Sequence, residues 1–115
     1  MAFKLSVKPT FGVRVLVEIL NEKGHLEKSQ FLAIFTRYAV DELELLKARW
    51  LVEGRDDPVW LARQVLVDWK ELIADDNTVA EYNEENKAFL LSIPPVVAAL
   101  QQAFWDNVIT ARAKN

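Results

Sequence analysis

The chain opens with apolar and polar positions in alternation. Phe3, Leu5 and Val7 alternate with Lys4, Ser6 and Lys8, the period-two pattern of a strand with one face in water. Pro9 ends or offsets that strand, because it has no amide hydrogen to give to a ladder. Val13, Val15, Val17 and Ile19 form a second alternating row, with Arg14 and Glu18 on the opposite face. The polar stretch Asn21-Glu22-Lys23-Gly24 predicts a four-residue hairpin loop, closed by a positive φ at Gly24. A return strand is expected from about His25 to Phe35, with Leu32 and Ile34 on one face and Phe31, Ala33 and Phe35 on the other. Its second half is apolar on both faces, so helices should cover one side.

After Tyr38 the period becomes helical. Leu43, Leu46 and Trp50 share a stripe, and Asp41, Glu42 and Glu44 lie near the positive end of the helix they start. Gly54 is a stop signal. Asp57-Pro58 reads as an N-cap followed by proline at the first helical position. The helix it opens carries Leu61, Val65, Trp69 and Leu72 and should run to about Ala74. Asn83 is a good N-cap for a short helix whose core face holds Phe89 and Leu90 or Leu91. Pro94-Pro95 must break that helix. A last helix, about 95–112, places Val97, Leu100, Phe104, Val108 and Ala111 on one stripe and Ala98, Trp105 and Ile109 on a neighbouring one. The fold class expected is α+β: an N-terminal antiparallel β-hairpin or meander followed by about four α-helices. One domain spans 1–115, with a β-rich part at 1–38 and a helical part at 39–115.

Composition narrows the function classes. With 115 residues, 51% hydrophobic and 27% charged, the chain has the balance of an ordinary globular protein. The absence of cysteine excludes disulfides and thiolate metal sites and suits a reducing compartment. Lys4 and Lys8 interrupt any signal-peptide core, and no apolar run approaches the ~20 residues of a membrane helix. A cytoplasmic protein with no membrane partner is the expectation. The net charge of −3 is uneven: residues 1–40 carry six basic and three acidic groups, and residues 41–115 carry eight and fourteen. Such asymmetry steers one face toward a complementary partner, including a second copy. Nucleic acid is not an expected partner, since phosphate contacts need clustered Lys and Arg.

No catalytic constellation survives inspection. His25 is the only histidine and sits beside the turn, so the three serines (Ser6, Ser29, Ser92) share one candidate base. Asp56-Asp57 and Asp75-Asp76 read as turn and capping pairs, because Asp75-Asp76-Asn77 lacks the alternating ligands, central glycine and distal glutamate of a calcium loop. The three glycines are far apart, which excludes a phosphate-binding loop. No cofactor is expected. Of the four tryptophans, Trp50 and Trp69 are expected in the core and Trp60 beside it. Trp105, with Ala98 and Ile109, widens the apolar face of the last helix, and such aromatics suit a protein interface.

The order of elements from Trp69 onward resembles the tail assembly chaperones of long-tailed bacteriophages. The resemblance rests on Trp69, an acidic turn at Asp75-Asp76, Tyr82 followed by Asn83-Glu84-Glu85-Asn86, Leu90-Leu91-Ser92-Ile93-Pro94, Phe104 and the basic-Asn end Lys114-Asn115. It covers residues 69–115 closely and the N-terminal part in outline. The matching positions are Trp69, Asp75, Tyr82, Glu85, Asn86, Leu90, Leu91, Ile93, Pro94, Phe104, Lys114 and Asn115, and they look like fold determinants. The chain departs from the pattern at Asn77-Thr78, where the family turn often carries glycine, and at Trp105, which adds bulk beside Phe104. The resemblance implies a non-catalytic protein that binds the tape measure protein, aids recruitment of tail-tube subunits, and self-associates as a homo-oligomer. The alternatives are a structural tail-completion or virion component, or a small bacterial adaptor protein.

Overall fold

A computed structural model of the chain describes residues 1–74 and 76–109. Asp75, Ala111, Lys114 and Asn115, all singled out above, lie outside the described residues. The architecture is α+β: a three-stranded antiparallel sheet with helices on one face. Strand β1 (Thr10–Leu20) pairs along its whole length with β2 (Leu26–Thr36), and β2 pairs with β3 (Leu66–Lys70), so the order is β1-β2-β3. The helices are α1 (Val40–Glu53), α2 (Trp60–Val65), α3 (Glu84–Leu90) and α4 (Pro94–Val108).

The hairpin forms where the turn chemistry put it. Gly24 has φ 79°, and Gly24 N–H donates to the Asn21 carbonyl at 3.1 Å. Asn21 N–H reaches the His25 carbonyl at 2.9 Å, which shortens the loop to Glu22-Lys23-Gly24. The Asn21 side chain accepts from the amides of Lys23 and His25, a local bond set available to asparagine in a turn. On the inner face Val15, Val17, Phe31, Ala33 and Phe35 are buried, and helix α4 lies against β1.

Residues 3–7 are not a strand of this sheet. Their apolar side chains stand in water, with Phe3 81%, Leu5 97% and Val7 66% exposed. The third strand is instead Leu66–Lys70, inside the segment expected to be one helix from Pro58 to Ala74. Leu61, Val65 and Trp69 satisfy a helical period, but the short α2 ends at Val65 and the chain extends from Leu66. The reason is tertiary. Strand β2 has an open edge beside β1, and Trp69 meets Ala33 across the new ladder, where the smallest inner residue of β2 leaves room for the indole. The ladder slips once between Ile34 and Phe35, leaving Val67 as the extra residue of a bulge.

Asp57 acts as a turn residue rather than as the cap of a helix starting at Pro58. Its carboxylate accepts from Val59 N–H and pairs with Arg63, while α2 itself begins at Trp60. Trp60 is buried, and Trp50, expected in the core, is 37% exposed at its rim. Gly54 stops α1 with φ −89°, so its role is space: a Cβ there would lie 2.5 Å from Trp50 Cδ1. At the start of α1 the Glu42 carboxylate accepts from Ala39 N–H at 2.8 Å.

The core centres on Phe104 of α4. Its ring meets Phe35 at 5.5 Å, Tyr38 at 6.0 Å and Phe11 at 6.4 Å, two of these edge-on, the geometry the ring quadrupole favours. Val97 and Leu100 are buried on the same stripe of α4, as its spacing predicts. No single helix among the described residues is long and apolar enough to cross a membrane.

Candidate protein-binding groove

The residues from Leu66 to Pro94 build one side of the molecule. Strand β3 ends at Lys70, and Glu71 takes φ 63° and turns the chain away from the sheet. The Glu71 carboxylate reaches back over β2 to Arg14 of β1, two parallel bonds at 2.7 and 3.0 Å across the outer sheet face. The Arg14 bond holds Glu71 below the ordinary carboxylate range.

Residues 72–74 and 76–80 then form the two sides of a small β-like loop. Ala80 N–H donates to the Leu72 carbonyl at 2.8 Å, Ala74 N–H to the Thr78 carbonyl at 2.9 Å, and Ile73 bridges Val79. Asn77 sits at φ 64°, the conformation that favours glycine and tolerates asparagine best among other residues. The Asp76 carboxylate accepts from the Thr78 hydroxyl at 2.6 Å and from its amide at 3.1 Å, and these bonds lower its pKa.

Three polar groups fasten this loop and α3 to the sheet. Trp69 Nε1 donates to the Ala80 carbonyl at 2.7 Å, and the indole meets the Tyr82 ring edge-on at 4.9 Å. The Tyr82 hydroxyl donates to the Leu66 carbonyl at 3.2 Å. Lys87 donates to the carbonyls of Arg63 and Leu66 at 3.0 and 2.8 Å, just past the C-terminal end of α2, where a cation is favoured. Sequence reasoning did not single out Lys87. The only available signal was its place on the same helix as Asn86, one turn after the Asn83 cap.

Asn83 caps α3 as expected, its side chain accepting from Asn86 N–H at 2.8 Å. Asn86 in turn donates to the Glu81 carbonyl, which locks the approach to the helix. Leu90 and Leu91 are buried, and Pro94 starts α4 at a bend of 97° from α3. Phe89, expected on the core face, is 70% exposed. The last turn of α3 rotates Leu90 inward, and Leu91 follows it into the core at the C-cap, so Phe89 points the other way.

Between the 72–80 loop and α3 lies an open groove of about 770 Å³. Leu72, Ile73, Phe89, Leu90 and Ile93 supply its apolar surface, and Asp76 and Glu85 supply acidic groups. Family-pattern positions thus divide by task. Trp69, Tyr82, Leu91, Pro94 and Phe104 hold the frame, Glu85 and Ile93 line the groove, and Asn86 and Leu90 do both.

The other expected contact surface is Ala98 and Trp105 of α4 with Ile109 at its C-cap. Ala98 and Ile109 are exposed. Trp105 is half-buried, with its ring 5.4 Å from Trp50 and 5.2 Å from Phe104, so part of its area is already used within the chain. Among the described residues no three His, Asp or Glu side chains converge as they would around a metal ion. Comparisons with protein-family models, curated proteins and solved structures find no match.

Proposed function

We propose that this chain is a non-catalytic assembly chaperone of a bacteriophage or prophage tail. In this reading it works in the host cytoplasm, binds the tape measure protein and aids recruitment of tail-tube subunits. The observation that carries the reading is the groove: Glu85, Asn86, Leu90 and Ile93 of the tail-chaperone pattern line it, and Ile73 and Phe89 beside them leave apolar surface open. An extended helical client exposes apolar stripes that need temporary cover before assembly, and a groove of this kind receives such a stripe by helix-in-groove contact. Asp76 and Glu85 favour a client stripe flanked by Lys or Arg.

The test is co-expression with the tape measure protein encoded beside it, followed by pull-down and sizing. A soluble complex of fixed stoichiometry, lost in the double variant Ile73→Ser/Phe89→Ser, supports the reading. A tape measure protein that stays insoluble with the chain present refutes it. Recovery of the chain in purified particles favours a retained virion component.

A further inference from the structure

We propose that residues 2–8 form an exchanged strand that pairs with the free edge of β1 in a second copy of the chain. Pro9 C=O accepts from Arg37 N–H, and Asn21 N–H donates to His25 C=O, so the odd-numbered residues of β1 turn their amides and carbonyls toward β2. The even-numbered residues, Gly12, Arg14, Leu16 and Glu18, turn theirs to the open edge, where among the described residues no strand pairs. The edge carries only two charged residues and no proline inside the strand, so the usual protection against pairing is weak.

The arm has the complementary design. Phe3, Leu5 and Val7 alternate with Lys4, Ser6 and Lys8, yet the apolar side chains are exposed to water in the monomer. Pro9 does not interrupt an exchanged ladder, because its missing N–H faces β2. The arm does not reach its own β1 edge as a strand. Arg37 holds its base, donating from the backbone to Pro9 C=O at 2.8 Å and from Nε to Lys8 C=O at 3.0 Å. A reversal would have to occur within residues 3–7, the same residues that carry the strand pattern. The dimensions agree with a projecting arm and hairpin: the radius of gyration is 15.4 Å, against ~13 Å for a compact chain of this length.

An antiparallel two-fold pairing centred on Thr10 satisfies these features along residues 2–6, with the Lys8 carbonyl kept by Arg37. It sets Phe3, Leu5 and Val7 opposite the second copy's Val17, Val15 and Val13, apolar with apolar on the inner face. On the outer face it sets Lys4 opposite Leu16, diagonal to both Glu18 and Arg14, and Ser6 opposite Arg14. Both arms are used at once, as a self-complementary interface requires. This inference is independent of the tail-chaperone reading.

The test is sedimentation velocity on the full chain over a range of concentrations, beside Ser6→Pro, which removes an amide facing the second copy. The expected result is a concentration-dependent dimer whose dissociation constant rises at least tenfold in Ser6→Pro, with thermal unfolding of the monomer unchanged. The native chain has no cysteine, so Lys4→Cys/Leu16→Cys reports register directly. Hydrogen-bonded antiparallel partners lie ~5.5 Å apart at Cα, within disulfide reach. An interchain disulfide in the double variant, absent from each single variant's cross pattern, is expected. A chain that stays monomeric at every concentration overturns the proposal, as does a dimer that Ser6→Pro leaves intact.

Discussion

The inner face of the sheet and the groove side of α3 are built on different principles. Beneath the sheet, Phe11, Phe35, Tyr38 and Phe104 bury one another, and the surface is closed by the chain's own side chains. On the groove side, position is set by a few directed bonds to backbone carbonyls, from Trp69, Tyr82 and Lys87. Such bonds fix a loop and a helix in place while leaving Ile73 and Phe89 exposed. Rigidity and closure are thus separable: burial supplies both, whereas carbonyl-directed donors supply position and leave apolar area available for a partner.

The largest expected effect lies at Phe104. Phe104→Ala removes the ring shared by four aromatic partners, Phe11, Phe35, Tyr38 and Trp105, with an expected cost of about 3–5 kcal/mol in urea unfolding. A loss below about 1 kcal/mol would show that the aromatic cluster is not the centre of stability. Trp69→Phe keeps the ring against Tyr82 and removes the donor to Ala80. The expected cost is about 1–2 kcal/mol, with faster amide hydrogen exchange confined to residues 72–82. Exchange that rises equally across the sheet would deny the local fastening role.

At Asn77, alanine is expected to cost about 1 kcal/mol because its side chain gains nothing in the left-handed conformation, whereas glycine is neutral or stabilising. Unfolding measurements on the two variants rank them directly, and the reverse order would exclude this turn. Phe89→Ser should change stability by no more than ~0.5 kcal/mol while weakening client capture. A large stability loss there would mean that the groove is part of the core after all.

The smallest effect concerns acid. Glu71 and Asp76 titrate below the ordinary carboxylate range in the folded chain. Their contribution is therefore present above the unfolded pKa and is lost as pH falls through the folded one. For exposed groups the effect is small. Glu71→Gln should flatten the acid side of the stability profile below about pH 4, leaving the neutral side unchanged in slope. An unchanged acid limb would remove the Arg14–Glu71 pair from the account.

Local chemistry was legible wherever a residue acts on its immediate neighbours. The Gly24 turn, the Asn83 cap, the Pro94 start of α4 and the stripe of Val97, Leu100 and Phe104 all follow from rules operating within one or two turns of chain. Phe89 was misread because a short helix offers two apolar neighbours and only packing against the sheet chooses between them. The groove could not be read at all from spacing, since its walls come from a loop and a helix joined through Trp69, Tyr82 and Lys87.

By itself, the sequence determined an α+β chain with one hairpin, an acidic loop, a capped short helix and a proline-started last helix. Only the tertiary structure decided that Leu66–Lys70 is a strand and Phe3–Val7 is not. Both segments carry apolar periodicity, and periodicity records which side chains favour burial, not which backbone edge is available. Leu66–Lys70 finds the open side of β2, with Ala33 making room for Trp69. Phe3–Val7 leaves the sheet past the Arg37 clasp and does not fold back onto the open edge of its own β1.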